Sequence, residues 1–202
     1  MKIICIGRNY IDHAKELNNP VPKSPLIFMK PSTALLKDGK PMYHPEFTKN
    51  MHYELEVVLK ISKNGKAISQ HYAHDYYEEL GLGIDFTARD VQDICKEKGL
   101  PWEMAKAFDN SAVLGGFINK CELSSKNIHF QLTKNGQVAQ DGNTKDLIFN
   151  FEYLISYISK YFTLQKGDLI FTGTPAGVGK VEIGDQLEGW MEGKQLLSCK
   201  IK

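Results

Sequence analysis

The chain has 202 residues, enough for one domain with a sizeable core. Its 42% hydrophobic and 24% charged content is that of a globular protein, which excludes disorder as the default. A formal net charge of +1 with no basic run gives no footing for a nucleic-acid backbone or an anionic membrane surface.

The segment Met1 to Arg8 is too short in its apolar part and too soon charged for a signal peptide, and no apolar run has membrane-spanning length. Cys5, Cys95, Cys121 and Cys199 are scattered with no Cys-x-x-Cys spacing. We expect reduced structural thiols and a cytoplasmic protein.

Residues 3–7 read as a short apolar strand, followed by a helix from Arg8 to Leu17 that Asn18-Asn19-Pro20 stops. His13 and Glu16 share a face of that helix. A carboxylate beside an imidazole raises its basicity and orients it, as a general base requires; a solvated surface pair has the same spacing. Leu26 to Met29 is a second strand, closed by Lys30-Pro31-Ser32, and residues 37–45 read as a loop on the rim of a site.

The segment His52 to Leu59 reads as a strand that carries two carboxylates. Alternation puts Glu54 and Glu56 on one face and Tyr53, Leu55, Val57 and Leu59 on the other. If the charged face is buried, a hard divalent cation with oxygen ligands relieves the repulsion. An exposed face with two solvated glutamates is the alternative. The Asn-Gly pair in Lys63 to Lys66 suits a tight hairpin. The following His71, His74 and tyrosines fit no single face and read as a polar loop leading into a helix.

Leu80 to Phe86 is an apolar strand that contains Asp85. An ionised Asp there is costly unless paired or metal-bound, so Asp85 is the natural third ligand, or else a strand-end residue reaching solvent. Thr87 to Cys95 reads as a helix with Thr87 as N-cap and Gly99 as stop, and it places Arg89 and Gln92 on one face. Lys106, among Met, Ala and Phe, either snorkels to water or faces an anionic ligand.

Asn135-Gly136 turns a hairpin between His129 to Thr133 and Gln137 to Ala139. Residues 148–162 show helical spacing, with aromatics expected in the core. Gly167 to Gly179 is a strand entering a glycine-rich loop, where backbone N–H groups and the Thr174 hydroxyl can meet an anion. No Gly-Lys-Ser/Thr follows, so a carboxylate suits it better than a triphosphate; an ordinary tight turn uses the same glycines. Short strands at Gln186 to Met191 and Leu196 to Ile201 close the chain.

The stretches GRNYIDHAKE, HYELEV, GIDFTARDVQ, KGLPWEMAKAFD and GDLIFTGTPAGVG, in this order, resemble the short, single-domain acylpyruvate hydrolase-like branch of the fumarylacetoacetate hydrolase family. The resemblance implies an α+β fold, a mainly β mixed-sheet roll with a few helices, over residues 1–202, and a homodimer. It implies Mg²⁺ or Mn²⁺ held by Glu54, Glu56 and Asp85. It implies His13, Glu16 and Lys106 as catalytic, and Arg8, Arg89, Gln92 and Thr174 as contacts to a 2-oxo acid substrate.

The expected reaction is hydrolysis of a C–C bond in an acylpyruvate. His13 with Glu16 deprotonates a water, and the metal stabilises the departing enolate. The same enolate forms in oxaloacetate decarboxylation or keto–enol tautomerisation, which are the alternatives. A non-catalytic Ca²⁺-binding β module or a metal-free family member are further readings.

Overall fold

The computed structural model describes residues 1–16, 20–36, 39–125 and 127–202. Strand β1 (Ile3–Gly7) leads into helix α1 (Ile11–Glu16), which is shorter than expected because Arg8 takes a left-handed φ of 60° and separates strand from helix. Leu17 to Asn19, expected to end the helix, and Lys37-Asp38 of the expected rim loop lie outside the described residues. The strands β2 (Leu26–Lys30) and β3 (Leu35–Leu36) come next. The rest of the rim loop is tied to the C-terminus: the Met42 N–H donates to the Lys200 carbonyl at 2.9 Å, and the Lys202 N–H to the Met42 carbonyl at 2.8 Å.

The strand expected over 52–59 is two strands, β4 (Met51–Tyr53) and β5 (Leu55–Ile61), broken at Glu54. Nor is β5 half greasy and half charged. Val57 and Leu59 join the main core, whereas Val58 on the Glu56 face joins a second cluster with Ile3, Cys5, Leu169 and Phe171. Each such side chain contributes about 1.5–3 kcal/mol by burial, so the strand that carries Glu56 is anchored from both faces.

The Lys63 to Lys66 segment is not a tight hairpin. Gly65 instead bridges to Leu164, the positive φ falls on Ala67, and the chain continues as a 3-10 helix Gln70–Tyr76. Then come β6 (Tyr77–Asp85), β7 (Thr87–Ala88), helix α2 (Arg89–Lys98) and the single turn α3 (Glu103–Lys106). Gly99 ends α2 as expected, but Thr87 does not cap it: it lies in β7, and its hydroxyl goes to Glu54.

The hairpin of β9 (His129–Lys134) and β10 (Gln137–Asn143) follows β8 (Ala112–Asn119), and Asn135 and Gly136 supply its two positive φ values. Helix α4 (Phe151–Tyr161) buries Leu154, Ile155 and Ile158, as its periodicity predicts. Its tyrosines differ: along the outer face Tyr153 stacks on Tyr157, and Tyr161 meets Tyr157 at a tilt of 57°. The chain finishes with β11 (Leu169–Phe171), β12 (Gly179–Lys180), β13 (Gln186–Met191) and β14 (Lys194–Lys200).

Seven strands form the main sheet in the order β2-β1-β11-β5-β6-β8-β3, with β1–β11 and β3–β8 parallel and the remaining pairs antiparallel. A four-stranded sheet, β10-β9-β13-β14, curls over it, and β12-β4-β7 forms a small third sheet. The fold is α+β, a mixed curled sheet with few helices. Glu54 sits where the chain passes from the third sheet to the main one, and this places the site at their junction.

Candidate metal centre and active site

Glu54, Glu56 and Asp85 meet at that junction. All three are buried, and one oxygen from each lies within 4.8 Å of the others. The break at Glu54 keeps its backbone paired, because its carbonyl accepts from the Asp85 N–H at 2.8 Å. Three buried carboxylates in one place repel one another strongly.

Three cations answer them. Lys106 Nζ donates to Glu54 Oε2 at 2.8 Å and to Asp85 Oδ2 at 2.6 Å, while Arg89 donates to Glu54 Oε1 at 2.5 Å. Lys30 Nζ lies 2.7 Å from Asp85 Oδ1, a charge contact and not an aligned hydrogen bond. Lys106 is 3% exposed, so it does not snorkel. Burial alone would raise the pKa of Glu54, but Lys106 and Arg89 hold it well below the usual carboxylate range. Burial also opposes the charge on Lys106, and Asp85 and Glu54 outweigh it.

Glu56 differs. Burial, then the charges of Asp85 and Glu54, push its carboxyl well above the usual range, against one backbone donor, Gly173 N–H at 2.6 Å. Converging hard oxygen donors, one of them without a cation of its own, fit a Mg²⁺- or Mn²⁺-type ion.

His13 reaches this centre from α1. Its Nδ1 lies 3.3 Å from Glu16 Oε2, and Glu16 Oε1 accepts from the Gly177 N–H at 3.0 Å. Glu16 raises the basicity of the imidazole as expected, and so does Glu54, but burial outweighs them and pulls the imidazole below its usual pKa. The glycine-rich loop does bind carboxylates, but they are the protein's own. Gly173 holds Glu56 and Gly177 holds Glu16. Both glycines are required by space, since a Cβ on Gly173 would lie 2.6 Å from Asn9 Cβ and one on Gly177 2.3 Å from the Ala139 carbonyl oxygen.

One narrow cavity of about 30 Å³ is lined by Arg8, His13, Glu54, Glu56 and Asp85 together with Arg89, Gln92, Lys106 and Thr174. Glu16 stands behind His13, and Arg89 donates to Gln92 Oε1 at 2.8 Å. Phe28 and Trp102 wall the cavity, with ring centroids 6.1 Å apart. A much larger concavity of about 970 Å³ lies elsewhere, beside Tyr77, Leu123 and Tyr153, and holds none of these groups.

Sequence reasoning missed Lys30, which read as a strand ending before a proline. It also missed Gln140, whose side chain reaches Thr174. Neither position carries a local signal, because each acts through residues more than thirty positions away.

The sequence model of the fumarylacetoacetate hydrolase C-terminal family matches residues 2–202. The chain belongs to this family. Among its relatives in the family, the mitochondrial oxaloacetate tautomerase of Bos taurus is 44% identical over 201 residues, covering 99% of this chain and 90% of the relative. An oxaloacetate tautomerase of Escherichia coli strain K12 is 40% identical over 197 residues, covering 96% and 90%. The crystal structure of fumarylpyruvate hydrolase from Pseudomonas aeruginosa in complex with Mn²⁺ and pyruvate superposes with a TM-score of 0.93 at 35% identity, covering 100% of this chain and 89% of that one. A mitochondrial and a bacterial relative show that compartment is not a property of the family, and among the described residues no helix is long and apolar enough to cross a membrane.

Proposed function

We propose that this protein is a divalent-metal-dependent tautomerase that interconverts the keto and enol forms of a 2-oxo acid, with oxaloacetate as substrate. The observation that carries the reading is the charge balance of the centre: three buried carboxylates face Lys30, Lys106 and Arg89. A Mg²⁺ or Mn²⁺ ion held by Glu54, Glu56 and Asp85 would add two positive charges. The enolate of oxaloacetate, charged at two carboxylates and at its enolate oxygen, brings three negative charges; the ion would offset two of them, and Arg8 on the cavity wall faces the third. When bound, the ion would supply Lewis-acid polarisation of the substrate's 2-oxo and carboxylate oxygens. The names of the two tautomerase relatives support tautomerisation ahead of acylpyruvate hydrolysis, the reverse of the order drawn from the sequence.

A carboxylate only accepts, so His13 Nδ1 carries its proton toward Glu16 and Nε2 keeps a lone pair. That lone pair takes a proton from C3 of the ketone, and the electron pair left behind forms the enolate. Return of the proton to C3 restores the ketone; delivery to the 2-oxo oxygen gives the enol. Glu16 neutralises the transient imidazolium, and Arg8 and Thr174 receive the substrate carboxylates. Phe28 and Trp102 keep bulk water from the enolate.

Hydrolysis of an acylpyruvate is the second reading, supported by the fumarylpyruvate hydrolase neighbour, with His13 acting on a water. The test follows the ultraviolet absorbance of enol oxaloacetate and of acetylpyruvate side by side, with Mg²⁺ and with excess EDTA. Metal-dependent enol loss with acetylpyruvate intact supports tautomerisation. Acetylpyruvate cleavage at an equal or greater rate puts hydrolysis first.

A further inference from the structure

Alternation along β10 would leave Gln140 on the same face as Val138, which is 59% exposed, yet Gln140 is 1% exposed. A bulge makes the difference. Val138 pairs with Thr133 and Gln140 with Leu132, so Ala139 is the extra residue and the strand changes face there. The same bulge presents the Ala139 carbonyl to Gly177 and turns the Gln140 side chain under the glycine-rich loop.

The partners of Gln140 fix its orientation without ambiguity. Its Oε1 accepts from the Leu55 N–H at 2.9 Å, between Glu54 and Glu56, and a backbone N–H can only donate. Its Nε2 donates to the Pro175 carbonyl at 3.0 Å, and a carbonyl can only accept. The second Nε2 hydrogen goes to Thr174 Oγ1 at 2.8 Å. Thr174 Oγ1 therefore accepts from within the protein, and among the described residues no acceptor takes its hydrogen. Thr174 lines the cavity beside Arg8 and Lys106.

We propose that Gln140 is the positioning residue that makes Thr174 a one-way donor to an anionic oxygen of the 2-oxo acid and ties that donor to the Glu54–Glu56 strand. This rests on the proposed function, in that the occupant is a 2-oxo acid beside the metal. A group that can only donate at this point is refused, and a carboxylate, which only accepts, is taken. The bulge thereby carries a specificity element into the site from the four-stranded sheet, which supplies no carboxylate to the centre.

The test uses Gln140→Glu, Gln140→Met, Thr174→Val and the two double variants. Calorimetry measures Mn²⁺ affinity and pyruvate affinity of the Mn²⁺-loaded protein, and kinetics measures KM and kcat for oxaloacetate. Gln140→Glu retains the acceptor for Leu55 but accepts the Thr174 hydrogen, turning it from the substrate. It is expected to weaken pyruvate binding and raise KM about tenfold or more, with kcat and Mn²⁺ affinity changed less than about threefold. Gln140→Met, which neither donates nor accepts, is expected to cost less. In the Thr174→Val background neither change adds to the loss. Equal pyruvate affinity in wild type and Gln140→Glu, or losses that add in the double variants, overturns the assignment of Gln140 alone. A wild-type protein that binds no Mn²⁺ overturns the proposed function and this assignment with it.

Discussion

Lys30 and Asp85 form a fully buried ion pair, Nζ 2.7 Å from Oδ1, with side chains 0% and 1% exposed. Lys30 also donates to Ser111 Oγ at 3.0 Å and to the Lys106 carbonyl, so one ammonium joins the end of β2, the candidate ligand Asp85 and the segment that aims Lys106. Removing one partner of a buried pair leaves an uncompensated charge. Lys30→Met is expected to lower the unfolding free energy by about 3–5 kcal/mol, read by urea denaturation. A loss below about 1 kcal/mol would show that the pair is dispensable.

Glu56 is expected to behave in the opposite way. Its folded-state pKa is raised, so the ionised form at neutral pH subtracts from stability once the pH exceeds the unfolded value of about 4.3. Glu56→Gln without metal should therefore be at least as stable as the wild type at pH 7. With Mg²⁺ at about one hundred times its Kd, the wild type should gain about 2.7 kcal/mol and the variant almost nothing. Thermal unfolding with Mg²⁺ and with EDTA measures both, and an equal metal response in the two proteins would remove Glu56 from the ligand set.

His13 sets the acid limb of activity. Burial lowers its pKa, Glu54 and Glu16 act against that, and Arg89 adds to the lowering. The neutral base therefore persists below pH 6.5, and the acid limb of kcat/KM is expected below the ordinary histidine value. The sign for stability is the same: the contribution is full above the unfolded pKa and is lost as pH falls through the depressed folded one. Glu16→Gln removes a group that raises this pKa, so the limb moves further toward acid while the rate falls. A limb that moves toward neutral pH would contradict the pairing.

The glycine-rich loop permits a controlled comparison. Gly177 and Gly184 have φ values of 95° and 101°, but a Cβ meets the Ala139 carbonyl oxygen at 2.3 Å in the first and open space in the second. Gly184→Ala is expected to cost about 1–2 kcal/mol from the backbone alone. Gly177→Ala should cost more and also lower kcat, because Gly177 holds Glu16 behind His13. Equal costs with unchanged kcat would show that the Gly177 contact carries no catalytic weight.

Much of the site was legible because its signals are local. Glu54 and Glu56 two apart on a strand, and Asp85 inside an apolar run, are oddities that burial makes costly. Helical spacing put His13 with Glu16, and Arg89 with Gln92, on shared faces that a solvated surface pair would fit equally; the family resemblance is what singled them out. Most of the individual strands and helices were readable from apolar runs and from the Asn135-Gly136 turn, whereas the α+β mixed-sheet roll was implied by the family resemblance. What stayed hidden depends on distant partners or on departures from regular geometry. The break at Glu54 lets one carboxylate belong to two sheets, and the bulge at Ala139 reverses the face on which Gln140 falls. Thr87 looks like a cap by sequence because Ser and Thr favour that place, but the nearby Glu54 takes its hydroxyl. The basicity of His13 was misjudged because sequence shows the neighbouring Glu16 and does not show the depth of burial.

Glu54, Glu56 and Asp85 are the residues that would hold a divalent ion, which would support enolate formation from a 2-oxo acid. The most direct measurement is the rate of enol oxaloacetate ketonisation by the wild-type protein with Mg²⁺, with excess EDTA, and with Mg²⁺ restored after EDTA removal. Rapid loss of the enol absorbance is expected with Mg²⁺, with a fall to the uncatalysed rate in EDTA and recovery on restoration. Ketonisation that is equally fast in EDTA, or no faster than the uncatalysed reaction with Mg²⁺ present, would contradict this assignment.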